Sequence, residues 1–123
     1  MKIEAIRGEF TVCQLKAGTA VNMNQPFTFL SRTDEELSLV CLTEAVPQNT
    51  VRREDGWRML RIAGTLDFAL VGILSRIGAL LASAGIPIFA ISTYNTDYIL
   101  VKDADLDRTI RVLSEHWYDV RML

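Results

Sequence analysis

The sequence predicts an α+β protein whose second half is one β-α-β-β-α-β unit. Three observations carry this reading. Residues 57–122 alternate strand patterns with two one-sided helical stripes. The first half is rich in strand patterns, and short segments of it recur in the second half.

The elements are justified in chain order. Residues 10–15, 27–31 and 37–42 read as strands. Thr33-Asp34-Glu35-Glu36 has the spacing of a capping box, but the strand pattern resumes at Leu37, so it reads as a single turn. Residues 44–56 are polar and contain Pro47 and Asn49, which reads as a connector between halves. Residues 57–64 alternate, with Leu60 and Ile62 on one face, as a strand does. Leu70, Leu74, Ile77, Leu81 and Ala84 then form an apolar helical stripe. Gly85, Ile86 and Pro87 end it: a residue suited to the left-handed C′ position, an apolar residue to pack back, and one that cannot continue the helix. Residues 88–94 and 97–102 form a hairpin across Asn95-Thr96. A second helix is expected after a cap at Asp103 or Asp105, with the stripe Leu106, Ile110, Leu113 and Trp117. A short strand over 118–122 closes the unit. The order is the split βαβ, or ferredoxin-like, arrangement, with both helices on one face of a sheet.

The halves share landmarks. Ala17-Gly18-Thr19 follows the first strand, and Ala63-Gly64-Thr65 follows the strand that opens the second half. Thr33-Asp34 and Thr96-Asp97 each precede an apolar strand. Between these landmarks the second half is longer by about one helix. The expectation is a duplicated unit whose first copy has lost a helix. The boundaries that follow are 1–56 for a truncated N-terminal module with its connector and 57–123 for a complete C-terminal module.

The totals exclude several classes. The chain has 123 residues, the size of one compact unit, and half of them are hydrophobic, so a core forms without staples. A net charge of -2 leaves no basic face for nucleic acid. Residues 68–91 carry one charge, Arg76, and are long enough to span a bilayer. The central charge, the break at Gly85 and Pro87, and the absence of a flanking Lys/Arg cluster favour a buried helix followed by a buried strand. Cys13 and Cys41 sit in apolar strand patterns and read as reduced, buried thiols. The first residues show no secretory signal pattern, so the expected location is the cytoplasm.

From Gly72-Ile73-Leu74 through Ser92-Thr93-Tyr94-Asn95-Thr96-Asp97-Tyr98-Ile99-Leu100-Val101 the chain resembles ACT domains. It is most similar to those of aspartokinases and of arginine-sensing ACT proteins of animal cells. Glu36-Leu37-Ser38-Leu39-Val40-Cys41 and Asp55-Gly56-Trp57 resemble small stand-alone bacterial relatives of that group. The resemblance implies tandem ACT-like modules, non-catalytic binding of an amino acid between modules, and a homodimer. No kinase domain is visible, so aspartokinase catalysis is not implied.

An amino acid asks for N–H donors around its carboxylate and acceptors around its ammonium. The helix start at Val71, Gly72 and Ile73 offers free backbone N–H groups and a partial positive charge. The turn of Thr93, Tyr94, Asn95, Thr96 and Asp97 offers carbonyls, an amide and a carboxylate. The resemblance places the ligand between these two, facing Ser38 and Leu39. Taken singly, each feature has a plainer reading: Gly72 as a packing residue, Asn95-Thr96 as turn chemistry, Asp97 as a partner of its own turn. Leu70 and Val71 precede Gly72, so the helix start itself brings no acidic side chain for a guanidinium; arginine is not implied, and a less polar amino acid fits equally.

Other chemistry fails on context. Tyr98 and Lys102 have dehydrogenase spacing but lie on a strand without a Gly-rich turn. His116 is the single histidine and has no acid or nucleophile motif beside it. One histidine and two separated cysteines do not make a zinc site. Asp103, Asp105 and Asp107 lack the later residues of a calcium loop. The expectation is therefore a regulatory binding protein with no catalytic residue, metal or cofactor. A free amino acid is its ligand, and an enzyme or signalling protein is the partner it regulates. The rival is a constitutive interaction module that has kept the fold and lost the pocket.

Overall fold

The structure, a computed structural model, describes residues 1–63 and 72–123. Among the described residues, eight strands and two α-helices run in the order β1 (Lys2–Ala5), β2 (Phe10–Leu15), β3 (Phe29–Arg32), β4 (Leu37–Leu42), β5 (Thr50–Ile62), α1 (Ile73–Ser83), β6 (Ile88–Ser92), β7 (Asp97–Lys102), α2 (Leu106–Glu115) and β8 (Asp119–Met122). The chain divides into two compact units, Gly8–Trp57 and a second made of Met1–Arg7 with Arg58–Leu123.

In Gly8–Trp57 the strands are antiparallel in the order β3-β4-β2, followed by the first part of β5. Cys13, Leu15, Leu37, Leu39 and Cys41 form its apolar cluster, with Val21 and Val46 packed against it. The alternation of β2 and β4 produces this face directly. Phe10 meets Phe27 edge-to-face, with ring centroids 6.4 Å apart. No α-helix lies in this unit, all of which is described. A single 3-10 turn over Thr43–Ala45 follows β4. It stands where a 3-10 turn over Asp103–Asp105 leads into α2 after β7. The first module is therefore reduced at both helix positions, one more than the sequence suggests.

The other unit has the strand and helix order β5-α1-β6-β7-α2-β8. β7 pairs with both β6 and β5. β1 lies between β5 and β8, antiparallel to the first and parallel to the second. Sequence reading assigns no strand to residues 2–5, because four residues with one short alternation carry little signal. Both helices pack on one apolar cluster with these strands. Ile3, Ala5, Leu60, Ile62, Ile77, Leu81, Ile99, Val101 and Leu113 are its fully buried members.

α1 buries Ile77 and Leu81 completely and Leu74 and Ala84 partly, along the expected stripe. Leu70 falls outside the described residues. The helix closes as expected: Gly85 has φ 73°, its N–H donates to Ala82 O at 3.0 Å, and Ile86 N–H donates to Leu81 O at 2.9 Å. Two expectations need correction. Residues 50–56 are not a connector but the first half of β5; they are mostly exposed on both faces, so no alternation marks them. Trp117 is not on the buried stripe of α2. The helix ends at Glu115 and the chain turns left-handed, leaving Trp117 91 % exposed.

The internal repeat also has a different register from the one read in the sequence. The hairpin β3-β4 ends on the pair Arg32 and Leu37, and β6-β7 ends on Ser92 and Asp97. Each hairpin closes with one threonine: Thr33 N–H donates to Glu36 O, and Thr93 N–H donates to Thr96 O, both at 2.9 Å. Thr33 thus corresponds to Thr93 and Phe29 to Phe89. The Thr-Asp dipeptides are misaligned by three positions because they sit at opposite ends of equivalent turns.

Candidate functional site

Gly72 is the N-cap of α1, with φ 84° and ψ 4°. A left-handed cap suits glycine, since a Cβ there costs roughly 1–2 kcal/mol. Its carbonyl accepts the Arg76 N–H at 2.8 Å, the first bond of the helix. Among the described residues no side chain caps the first turn, and no acidic residue lies in that turn. Among the described residues, a Cβ built on Gly72 would meet no atom within 4 Å. Ile73 begins the helix and packs partly on the core. Val71, named with them, lies outside the described residues.

The turn after β6 is held from three sides. Thr93 bonds the Thr96 carbonyl through both its N–H, at 2.9 Å, and its hydroxyl, at 3.1 Å. Thr96 is buried, and its hydroxyl donates to Ile62 O at 2.7 Å, tying the turn to the end of β5. Ser92 donates to Asp97 Oδ1 at 2.6 Å across the last pair of the hairpin. These bonds leave Tyr94, 80 % exposed, and Asn95 at the tip. Asp97 keeps its second carboxylate oxygen for another donor.

Ser38 and Leu39 belong to β4 in the other unit. Leu39 is buried in the apolar cluster, so its side chain serves packing. Ser38 stands between Gln14 and Ser31 on the neighbouring strands. It lines a shallow hollow of about 360 Å³ with Gln14, Glu36, Arg52 and Glu54. Burial pushes the Cys41 thiol up to about 11, helped by the nearby Cys13, so it stays protonated near neutrality.

A family model for the ACT domain matches residues 52–115, half of the chain. The chain belongs to the ACT domain family. A further model, for an N-terminal domain, matches residues 8–49. Subunit 1 of the cytosolic arginine sensor for mTORC1, from Homo sapiens and Bos taurus, is 43 % identical over 59 residues. That match covers 47 % of this ACT protein and 18 % of the sensor's length. A crystal structure of a protein from Agrobacterium tumefaciens aligns with TM-score 0.87 and 30 % identity, over 99 % of this chain and 92 % of that one. A Vibrio cholerae protein described as a possible transport protein shares the fold at TM-score 0.69 and 22 % identity, over 93 % and 88 % of the two chains. Aspartate kinase from Clostridium acetobutylicum shares it at TM-score 0.66 and 13 % identity, covering 89 % of this chain and 33 % of the kinase. The fold is thus that of tandem ferredoxin-like ACT units, and ACT domains are regulatory ligand-binding modules. No helix among the described residues is long and apolar enough to cross a membrane.

Proposed function

We propose that this ACT protein is a non-catalytic, cytoplasmic amino-acid sensor that works as a homodimer and regulates an enzyme or signalling partner. The observation that carries the reading is the first turn of α1. Among the described residues no side chain caps its N–H groups, and a glycine precedes them, within an ACT domain. They suit a ligand carboxylate. Asp97 and the carbonyls of Thr93 and Tyr94 suit its ammonium. The similarity to an arginine sensor supports the class of ligand. The first turn of α1 holds no acid, so the reading takes in amino acids less polar than arginine as well as arginine itself.

The second reading, a constitutive interaction module, draws on the turn itself. Thr93, Thr96 and Asp97 each already have a partner within the protein. Calorimetric titration separates the two. Asp97→Ala removes an exposed hairpin bond and should fold, while weakening ligand binding by about 1.5–3 kcal/mol. Gly72→Val should weaken binding further, and its strained cap should lower stability by roughly 1 kcal/mol as well. Folded Asp97→Ala protein that binds as tightly as the parent would put the ligand elsewhere.

A further inference from the structure

Both helices of the second unit end in the same hydrogen-bond pattern, built on different residues. After α1 the left-handed position is held by Gly85, at φ 73°. After α2 it is held by Trp117, at φ 74°. Trp117 N–H donates to Ser114 O at 3.2 Å, and Tyr118 N–H to Leu113 O at 3.1 Å, as Gly85 and Ile86 do at the other end. A bulky residue is disfavoured in that conformation and glycine is not. Strain of this kind marks positions where the side chain serves something other than the fold. Burial is not what Trp117 gains, since it is 91 % exposed, whereas the other tryptophan, Trp57, is buried.

The indole stands beside a hollow of about 350 Å³, lined by Met1, Ile73, Arg76, His116, Trp117 and Tyr118. That volume is sufficient for a small molecule. Among the described residues the lining holds no acidic side chain. Arg76 is exposed, and its side chain makes no hydrogen bond or ion pair among the described residues. His116 is committed to its own helix through Nδ1, 2.8 Å from Val112 O. An exposed aromatic face and an exposed guanidinium therefore share one cavity.

We propose that this hollow binds a small aromatic carboxylate, its ring stacked on Trp117 and its carboxylate paired with Arg76. The ligand differs in kind from the amino acid proposed above: among the described residues the lining offers no carboxylate to receive an ammonium, and the two sites share only Ile73.

Phenylacetate is the probe, followed by tryptophan emission and by calorimetry on the whole chain. It should give a saturable change in emission, and benzyl alcohol, which has the ring without the charge, should bind at least tenfold more weakly. Arg76→Gln should keep the parent's Tm and bind at least tenfold more weakly. Trp117→Gly should raise Tm, because glycine relieves the left-handed strain, and should abolish binding. A purely structural Trp117 would give the opposite change in Tm. No saturable response of the parent to phenylacetate would overturn the proposal, as would undiminished binding by both variants. Asp97→Ala should bind phenylacetate as the parent does; loss of binding there would place the probe in the amino-acid site and overturn the separate one.

Discussion

At the scale of single residues, Asp55 shows how one carboxylate is set by its neighbours. Thr11 is fully buried, and its hydroxyl donates to Asp55 Oδ1 at 2.6 Å. That hydroxyl has one proton, so at the 2.9 Å contact between Thr11 and Thr43 it is Thr43 that donates. Arg53 reaches the same carboxylate oxygen at 2.9 Å. The Thr11 hydrogen bond first, and the Arg53 guanidinium second, hold the Asp55 carboxyl below the usual carboxylate range. A carboxyl depressed in the folded state stabilises it while ionised. The contribution is present above the unfolded value of about 3.9 and is lost as pH falls through the lower folded value. Urea midpoints measured from pH 6 downward (on the order of three pH units) should therefore fall less steeply in Asp55→Asn than in the parent. Identical slopes would show that Asp55 is not linked to folding. Trp117 is the residue whose place sequence reading misjudged. Its helical spacing from Leu113 is apolar and regular, and nothing local signals that a tryptophan will take a glycine's conformation.

At the scale of elements, the helices were readable and the polar strands were not. α1 and α2 carry one-sided stripes, and Gly85-Ile86-Pro87 stops the first within a residue or two of the observed end. The hairpin β6-β7 was readable because turn residues separate two apolar runs. The first half of β5 faces solvent on both sides, so its pattern is that of a loop, and only pairing with β2 makes it a strand. The expected side-chain cap on α2 is also absent: Asp105 accepts from Arg108 at 3.2 Å, and Thr109 donates to the Asp105 carbonyl at 2.8 Å. Of the candidate site, the helix start and the turn were legible as motifs. The bond from Thr96 to Ile62 was not, because it joins residues far apart in sequence. The packing of α1 is directly testable. Leu81 is fully buried in the cluster that joins α1 to the sheet, so Leu81→Ala should cost about 2–5 kcal/mol in equilibrium unfolding. A loss well under 1 kcal/mol would mean that α1 does not pack as described.

At the scale of the whole molecule, the strands leave open edges. Among the described residues, β3 and β6 each pair on one side only, and β8 pairs only with β1. Leu30 on β3 and Met122 on β8 are exposed. Unpaired edges and exposed apolar side chains are commonly covered by a second copy. A homodimer is expected at micromolar concentration by sedimentation, and a monomer with and without amino acids would remove that part of the proposal. The duplicated hairpins, each closed by one threonine, and the uncapped α1 make a ligand-responsive pair of ACT units the most economical account of this chain. The most direct measurement is thermal unfolding of the purified protein in the presence of each of the twenty amino acids. A binder gains about 2.7 kcal/mol when its ligand is at one hundred times Kd, so one amino acid or a small related set should raise Tm by several degrees. An unchanged Tm with all twenty at millimolar concentration would contradict the sensor reading and leave the constitutive interaction module.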